Sequence, residues 1–284
     1  MAIATQQHSV TFPSGDAVPA LGIGTWHMAE NPRHHADEVA ALRLALDLGL
    51  TVIDTAEMYG DGAAERLIGE AIEGRRKEAF LVSKVLPTHA RYDQTLAACA
   101  RSLGRLRTNY LDLYLLHWRG STPLGETVKA FTHLVETGQI RQWGVSNFDI
   151  ADMKELMLST PGGRGVSCNQ VLYNLSRRGI EFDLLPWCRD HDIPIMAYSP
   201  VEQGKLLSHR IVRRIAGRHN ATPAQLCLAW VLRQEGVIAI PKAGTPEHVR
   251  EDCDALEIKL TKEDLHELDE AFPPPGEPQP LEMI

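Results

Sequence analysis

Three ionisable side chains close three successive apolar runs: Asp54 ends "LTVID" (50–54), Lys84 ends "AFLVSK" (79–84) and His117 ends "LDLYLLH" (111–117). Tyr59 follows Asp54 by five residues in "IDTAEMYG" (53–60). Singly, each has a plain explanation, because a polar residue where a strand meets a loop is more often solvated or capping, and a loop tyrosine often packs under its loop. Together they suit proton transfer at a carbonyl. A phenol with a pKa of about 10 is a poor acid at neutral pH, but a nearby ammonium favours the phenolate and lowers that pKa. Lys84 would do this if buried beside Tyr59, and Asp54 would keep the lysine charged. Tyr59 would then donate a proton to a carbonyl oxygen as a hydride reaches its carbon.

Such a set needs one rim to gather it. Eight β-branched or aliphatic runs recur along the chain: the three above and "ALGIG" (20–24), "IRQWGVS" (140–146), "VSCNQV" (166–171), "IPIMAYS" (193–199) and "GVIAIPK" (236–242). Between them lie helix-period segments such as "ADEVAALRLALDLG" (36–49), "AERLIGEAIEG" (64–74) and "DQTLAACARSLGRL" (93–106). In "TPAQLCLAWVLRQEG", Thr222 reads as an N-cap, Pro223 as the first helical residue, Gln225 as the other half of a capping box and Gly236 as the stop. Strands that are apolar throughout, each followed by a helix, predict an α/β fold, a closed (β/α)8 TIM barrel, with an open doubly wound sheet as the alternative. The C-terminal ends of barrel strands form the active face. Ahead of the first barrel strand, "SVTFPSGDAVPALG" predicts a β-hairpin plugging one end, and "FPPPGEPQPLEMI" a short extended tail after the helix "TKEDLHELDEAF".

Composition narrows the class. With 284 residues and no compositional break, residues 1–284 are expected to form one domain. A formal charge of −8 argues against nucleic acid as a partner. No apolar stretch approaches membrane-spanning length and "MAIATQQHSV" lacks the pattern of a signal peptide, so a cytoplasmic location is expected. Five single cysteines without a C-x-x-C pair read as small core residues, not disulfides or a metal site, and the sequon at Asn220 reads as the lead-in to a helix.

In chain order "GIGTW" (22–26), "IDTAEMYG" (53–60), "LVSK" (81–84), "LYLLHW" (113–118), "GVSNF" (144–148), "NQVLYN" (169–174), "AYSP" (197–200) and "IPKAGT" (240–245) resemble the aldo-keto reductases, from about residue 10 to residue 270. Within that family the chain is most similar to bacterial single-domain members of the methylglyoxal reductase kind. The resemblance implies Tyr59 as proton donor, Asp54 and Lys84 as its tuning groups, and His117 as the group orienting the substrate carbonyl. It places Thr25 by the nicotinamide ribose, with Trp26 close by. Ser146, Asn147 and Gln170 fall on the carboxamide and Tyr198 on the ring face. Trp26 and Trp118 would wall a substrate pocket that, with only a short tail to roof it, is expected to be open and to accept small aldehydes and dicarbonyls. Taken alone, "SN" after a strand is normally a turn or a cap and a strand-ending tyrosine is normally core.

No G-x-G-x-x-G is present, so phosphates would be held by barrel loops: Ser199, Pro200, Val201 and Gly204 in one, Lys242, Ala243, Gly244, Thr245, His248, Glu251 and Asp252 in the other. Thr245 and Pro246 look like an N-cap and first turn, presenting free N–H groups to an anion beside Lys242. Many family members have serine at Ala243, arginine at His248 and asparagine at Asp252. NADPH is still the expected cofactor, on Lys242, the helix N-terminus and the family habit, with only modest discrimination against NADH, because a neutral histidine lacks the permanent forked charge of arginine. A small carbonyl compound is the expected partner, no metal is expected, and the chain is expected to act as a monomer. Two rivals are a nicotinamide-sensing interaction module and a metal-dependent lyase or isomerase. The first fits poorly with a complete set of four catalytic groups. The second lacks a cluster of carboxylates and histidines at the rim, since "HH" at 34–35 reads as a solvated helix entry.

Overall fold

Each of the eight apolar runs becomes a strand in the computed structural model, which describes residues 8–284. Most of the opening stretch "MAIATQQHSV" lies at residues 1–7, outside the described part. A hairpin of β1 (Ser9–Thr11) and β2 (Ala17–Pro19) comes first, followed by β3 (Ile23–Gly24), α1 (His35–Asp47), β4 (Val52–Asp54) and α2 (Ala63–Ala71). Then come β5 (Phe80–Val85), α3 (Tyr92–Leu106), β6 (Leu111–Leu116), α4 (Leu124–Glu136), β7 (Ile140–Ser146), α5 (Ile150–Lys154), β8 (Val166–Leu172) and α6 (Leu184–Asp190). The chain finishes with β9 (Ile195–Tyr198), α7 (Arg210–Arg218), α8 (Pro223–Leu232), β10 (Val237–Ile240), α9 (Pro246–Asp254) and α10 (Lys262–Ala271).

Strands β3 to β10 pair in parallel in chain order. The ends of this sheet meet through the bridges Leu21↔Ala239 and Gly24↔Lys242, so the sheet closes on itself as the barrel and not as an open sheet. Closure demands glycine where the first and last strands touch, because a Cβ on Gly24 would lie 2.8 Å from the Ile240 carbonyl oxygen. Strands β5, β6 and β8 are buried at every position, the outcome of a packed interior on one face and helices on the other.

The hairpin plugs the N-terminal end of the barrel as expected. Its Val10, Phe12 and Val18 are buried, and Phe12 stacks on Phe80, the first residue of β5, at 5.2 Å. Helix α8 carries the anticipated capping box between Thr222 and Gln225 with Pro223 at its start. Gly236 does not stop it: the helix ends at Leu232, and Gly236, at φ +72°, instead turns the chain into β10. His34 and His35 sit at the entry to α1, as read from the sequence.

Gly24→Ala is expected to lower thermal stability by about 1–3 kcal/mol, the usual cost of overpacking a tight contact. Gly104→Ala, in α3 with nothing within 4 Å of the added Cβ, is expected to raise it by about 0.5–1 kcal/mol. Thermal or urea unfolding of the two variants checks the pair; equal effects would contradict the closure argument.

Candidate active site

Strand register explains how three separated residues meet. Asp54 is level with Val82 on the neighbouring strand, and Lys84, two residues further on, is level with Leu115. His117 lies two residues past Leu115, just beyond the end of β6. Steps of two keep every side chain on the same face, so Asp54, Lys84 and His117 climb the inner wall as a staircase toward the C-terminal rim. Tyr59 reaches the same point from the turn after β4. The Lys84 Nζ donates to Asp54 Oδ2 at 2.7 Å, to the Thr55 carbonyl at 2.9 Å and to the Tyr59 hydroxyl oxygen at 3.2 Å. These three bonds use all three ammonium protons.

Lys84 is fully buried. Burial works against its charge, yet the Asp54 carboxylate and Tyr59 outweigh it and hold the ammonium above its usual pKa. Asp54 is pushed up by burial, with Lys84 and Gln170 opposing. The sequence reading expected Lys84 to lower the Tyr59 pKa; the net direction is the reverse. Burial raises the phenol, and Lys84 only partly offsets this while Asp54 adds to the rise. Tyr59 is thus held protonated at neutral pH, the state a proton donor needs, with the Lys84 ammonium placed to stabilise a phenolate.

His117 sits edge-on to Tyr59, with ring centroids 5.9 Å apart. Burial, with the Lys84 charge second, lowers its pKa to about 2, so the ring is neutral. Its Nδ1 is buried without a partner, which leaves Nε2 as the nitrogen facing the cavity. A proton on Nε2 makes the ring a neutral donor to an oxygen in the pocket and leaves Nδ1 as an acceptor rather than a stranded N–H.

Around these groups opens a cavity of about 620 Å³, within the size range of ligand sites. Its walls include Trp26, Asp54, Tyr59, His117, Trp118, Ser146, Asn147, Gln170, Tyr198, Ser199, Pro200, Val201 and Lys242. Gln170, on β8, reaches across the barrel mouth to donate from Nε2 to Asp54 Oδ1 at 2.8 Å and to the Met196 sulfur at 2.9 Å. Only its carbonyl oxygen is left to accept from a ligand amide. Ser146 accepts from Asn147 Nδ2 at 3.2 Å, which leaves its own O–H to donate. Together these two fit a carboxamide, one donor and one acceptor. Asn147, at φ +57°, is committed elsewhere: Nδ2 also donates to the His117 carbonyl, and Oδ1 accepts from the Tyr198 hydroxyl at 2.9 Å. It braces Ser146 and Tyr198. Thr25 is fully buried, bonded back to the Asp54 carbonyl at 2.9 Å, and is not part of the cavity wall.

Beyond Lys242 the loop runs through Ala243 and Gly244 to α9. Lys242 is exposed, with no ion-pair partner among the described residues, and its Nζ lies over Gly244, where a Cβ would be 3.0 Å away. Thr245 caps α9 by accepting from the His248 N–H at 3.3 Å. Fewer N–H groups are therefore free than the sequence implied. Pro246 has none and His248 spends its own on the cap, so in the first turn Glu247 alone offers a free amide. His248 is exposed and Glu251 half-buried. Asp252 is buried, and burial with Glu251 behind it lifts its pKa to about 8. At neutral pH it is largely protonated and presents an O–H, as the amide of an asparagine would present an N–H.

His27, Met58 and Gln203 also line the cavity, as do Met283 and Ile284 from the far end of the chain. Nothing in their spacing marks them. The last two correct the expectation of an unroofed pocket: the proline-rich segment after α10 runs back to the barrel mouth and supplies an apolar wall. Among the described residues no group of three or more His, Cys, Asp or Glu side chains is placed to hold a metal ion.

The sequence pattern of the aldo/keto reductase family matches residues 20–272. The chain belongs to that family. It is 50% identical over 284 residues to the methylglyoxal reductase YeaE of Escherichia coli, covering 98% of this chain and 100% of that relative. With the glyoxal reductase of Bacillus subtilis it shares 35% identity over 92% of this chain and 91% of the other. A Klebsiella pneumoniae aldo/keto reductase, solved in complex with NADP and acetate, superposes with a TM-score of 0.95 at 51% identity, over 98% of this chain and 99% of that one.

The raised pKa of Asp252 carries a stability signature. The folded state keeps its proton up to about pH 8, whereas an ordinary carboxyl releases it near 3.8, so across that window the folded state binds more protons and wild-type stability falls as pH rises. Asp252→Asn removes this titration. Its melting temperature relative to wild type is expected to climb between pH 5 and pH 9 (values spanning about the window just given), and a difference independent of pH would show that the carboxyl is not held protonated.

Proposed function

We propose that this chain reduces small aldehydes and dicarbonyls of the methylglyoxal type to alcohols, with NADPH as the reductant, acting as one barrel domain and as a monomer in the cytoplasm. The carrying observation is the buried Lys84 ammonium, 2.7 Å from Asp54 and 3.2 Å from the hydroxyl of a Tyr59 that faces the cavity. The cavity fits the cofactor: Ser146 and Gln170 offer a donor and an acceptor for its carboxamide, Tyr198 offers a ring face, and Lys242 offers a free cation for phosphate. When bound, the cofactor supplies the hydride.

The chain's own residues do the rest. His117, neutral, donates to the carbonyl oxygen and turns it toward Tyr59. As the carbonyl carbon gains a hydride, charge builds on that oxygen, and it becomes a stronger base than a phenolate. The Tyr59 O–H bond breaks, its proton passes to the oxygen to complete the alcohol, and Lys84 stabilises the phenolate left behind until solvent reprotonates it. Trp26, Trp118 and Met283 give the pocket apolar walls that suit a small carbonyl carbon skeleton.

Support for the cytoplasmic, membrane-free reading is physical. No helix of the described residues is long and apolar enough to cross a membrane. The cysteines are free and buried, except for the half-buried Cys253. Relatives that reduce methylglyoxal and glyoxal by name support the choice of substrate class.

Tyr59→Phe is expected to lower the rate of methylglyoxal reduction by about 10²–10⁴-fold, the range for loss of a general acid, while NADPH binding, followed by fluorescence quenching, survives. Retained turnover would assign the proton to another group. For the cofactor, kcat/KM is expected to favour NADPH over NADH by a modest factor, since Lys242 and the start of α9 face the extra phosphate but His248 offers no permanent charge. A clear preference for NADH, measured with both cofactors at saturating aldehyde, would contradict this assignment.

A further inference from the structure

Two walls of the cavity are loop-borne and far apart in sequence: the segment after β9, with Ser199, Val201 and Gln203, and the end of the chain, with Met283 and Ile284. A single side chain joins them. Arg177 donates from Nε and Nη2 to Glu202 Oε1 at 3.1 and 3.0 Å, and from Nη1 to Glu282. The arginine springs from a tight turn after β8, closed by reciprocal backbone bonds between Asn174 and Arg177. Asn174, on the same turn, donates to the other Glu202 oxygen at 2.7 Å and to the Ser199 carbonyl at 2.9 Å.

The segment after β9 depends on this anchorage. Ser199, Glu202 and Gln203 all have positive φ, at 49°, 49° and 53°, a conformation that L residues adopt only when their surroundings impose it. The Glu202 side chain is 95% buried by its partners on the β8 turn, where it is the fastening point of the loop. On the other side, Glu282 is the one ion-paired residue of the C-terminal segment among the described residues, and it precedes the two residues that reach the cavity. Ile284 lines the same cavity as Tyr198, the tyrosine expected to cover the nicotinamide ring.

We propose that Arg177 is a positioning residue that couples the loop after β9 to the C-terminal segment, so that the two movable walls of the pocket loosen and tighten together. When Glu202 leaves its seat, the guanidinium loses the fork that aims it, and the bond to Glu282 goes with it. By reciprocity, freeing the C-terminal segment loosens the loop by the same factor. This rests on the proposed function, which seats NADPH in this cavity: cofactor exit and the opening of the substrate wall become one event.

Amide hydrogen exchange on the full, cofactor-free chain tests the coupling without calling on activity. Glu202→Gln, which does not touch the C-terminal segment, is expected to speed exchange at 199–204 and also carboxypeptidase removal of Ile284 and Met283. Glu282→Gln is expected to do the reverse, speeding exchange at 199–204, and serves alone if the first variant does not fold. Arg177→Met is expected to loosen both segments and to raise KM for methylglyoxal about threefold without lowering kcat, and Arg177→Lys to restore part of one contact but not both. Glu282→Gln is also expected to speed NADPH dissociation about threefold in stopped-flow fluorescence. Loosening confined to the mutated segment in each variant, or an unchanged NADPH dissociation rate in Glu282→Gln, would overturn the coupling. Failure of wild type to quench with NADPH would instead overturn the cofactor assignment, and the exchange data would still decide the role of Arg177.

Discussion

A lysine ammonium buried without access to water governs how this barrel is organised. Removing such an ion from solvent costs several kcal/mol even after relaxation, and only close opposite charge and full hydrogen bonding offset the cost. Lys84 obtains both from three directions: a carboxylate on the adjacent strand, a backbone carbonyl just beyond it, and a phenol on the following turn. The Asp54 carboxylate needs its own remaining oxygen covered, and the amide of Gln170 crosses the barrel mouth to do so. One buried charge therefore ties β4, β5 and β8 into a fixed rim.

The same arrangement separates two properties that a catalytic phenol needs. Burial keeps Tyr59 protonated, and the ammonium beside it lowers the cost of forming its anion. A phenol acidified outright by its neighbour would lose its proton before a carbonyl arrived. His117 complements this: burial and the Lys84 charge hold the imidazole neutral, a state that can donate to an oxygen without competing as an acid. One charge sets the environments of both the phenol and the imidazole.

Away from this rim the site is built from softer parts. Ser146, Asn147 and Tyr198 form a hydrogen-bonded arc at the ends of β7 and β9, while the loop after β9 and the C-terminal segment supply walls held by side chains instead of by strand pairing. The contrast is useful to an enzyme that must admit and release a large cofactor. Strand pairing holds the polar groups in register, and side-chain contacts alone hold the loop-borne walls.

Much of this was legible in the residues themselves. Apolar runs followed by helical periods imply the parallel barrel, and a polar residue closing each of three successive runs brings Asp54, Lys84 and His117 to one rim, because the C-terminal ends of parallel barrel strands share a face. Capping at Thr222 and Thr245 was equally local. What only the tertiary structure decided depends on distances between segments far apart in the chain. Whether Tyr59 is acidified or held protonated turns on how much solvent the closed barrel excludes. Which face of Gln170 remains for a ligand turns on Asp54, 116 residues away. Met283 and Ile284 wall the pocket from the far end of the chain, beside an Arg177–Glu282 ion pair that spans 105 residues. Electrostatic burial and long-range ion pairs are properties of the folded volume, and no local pattern of residues encodes them.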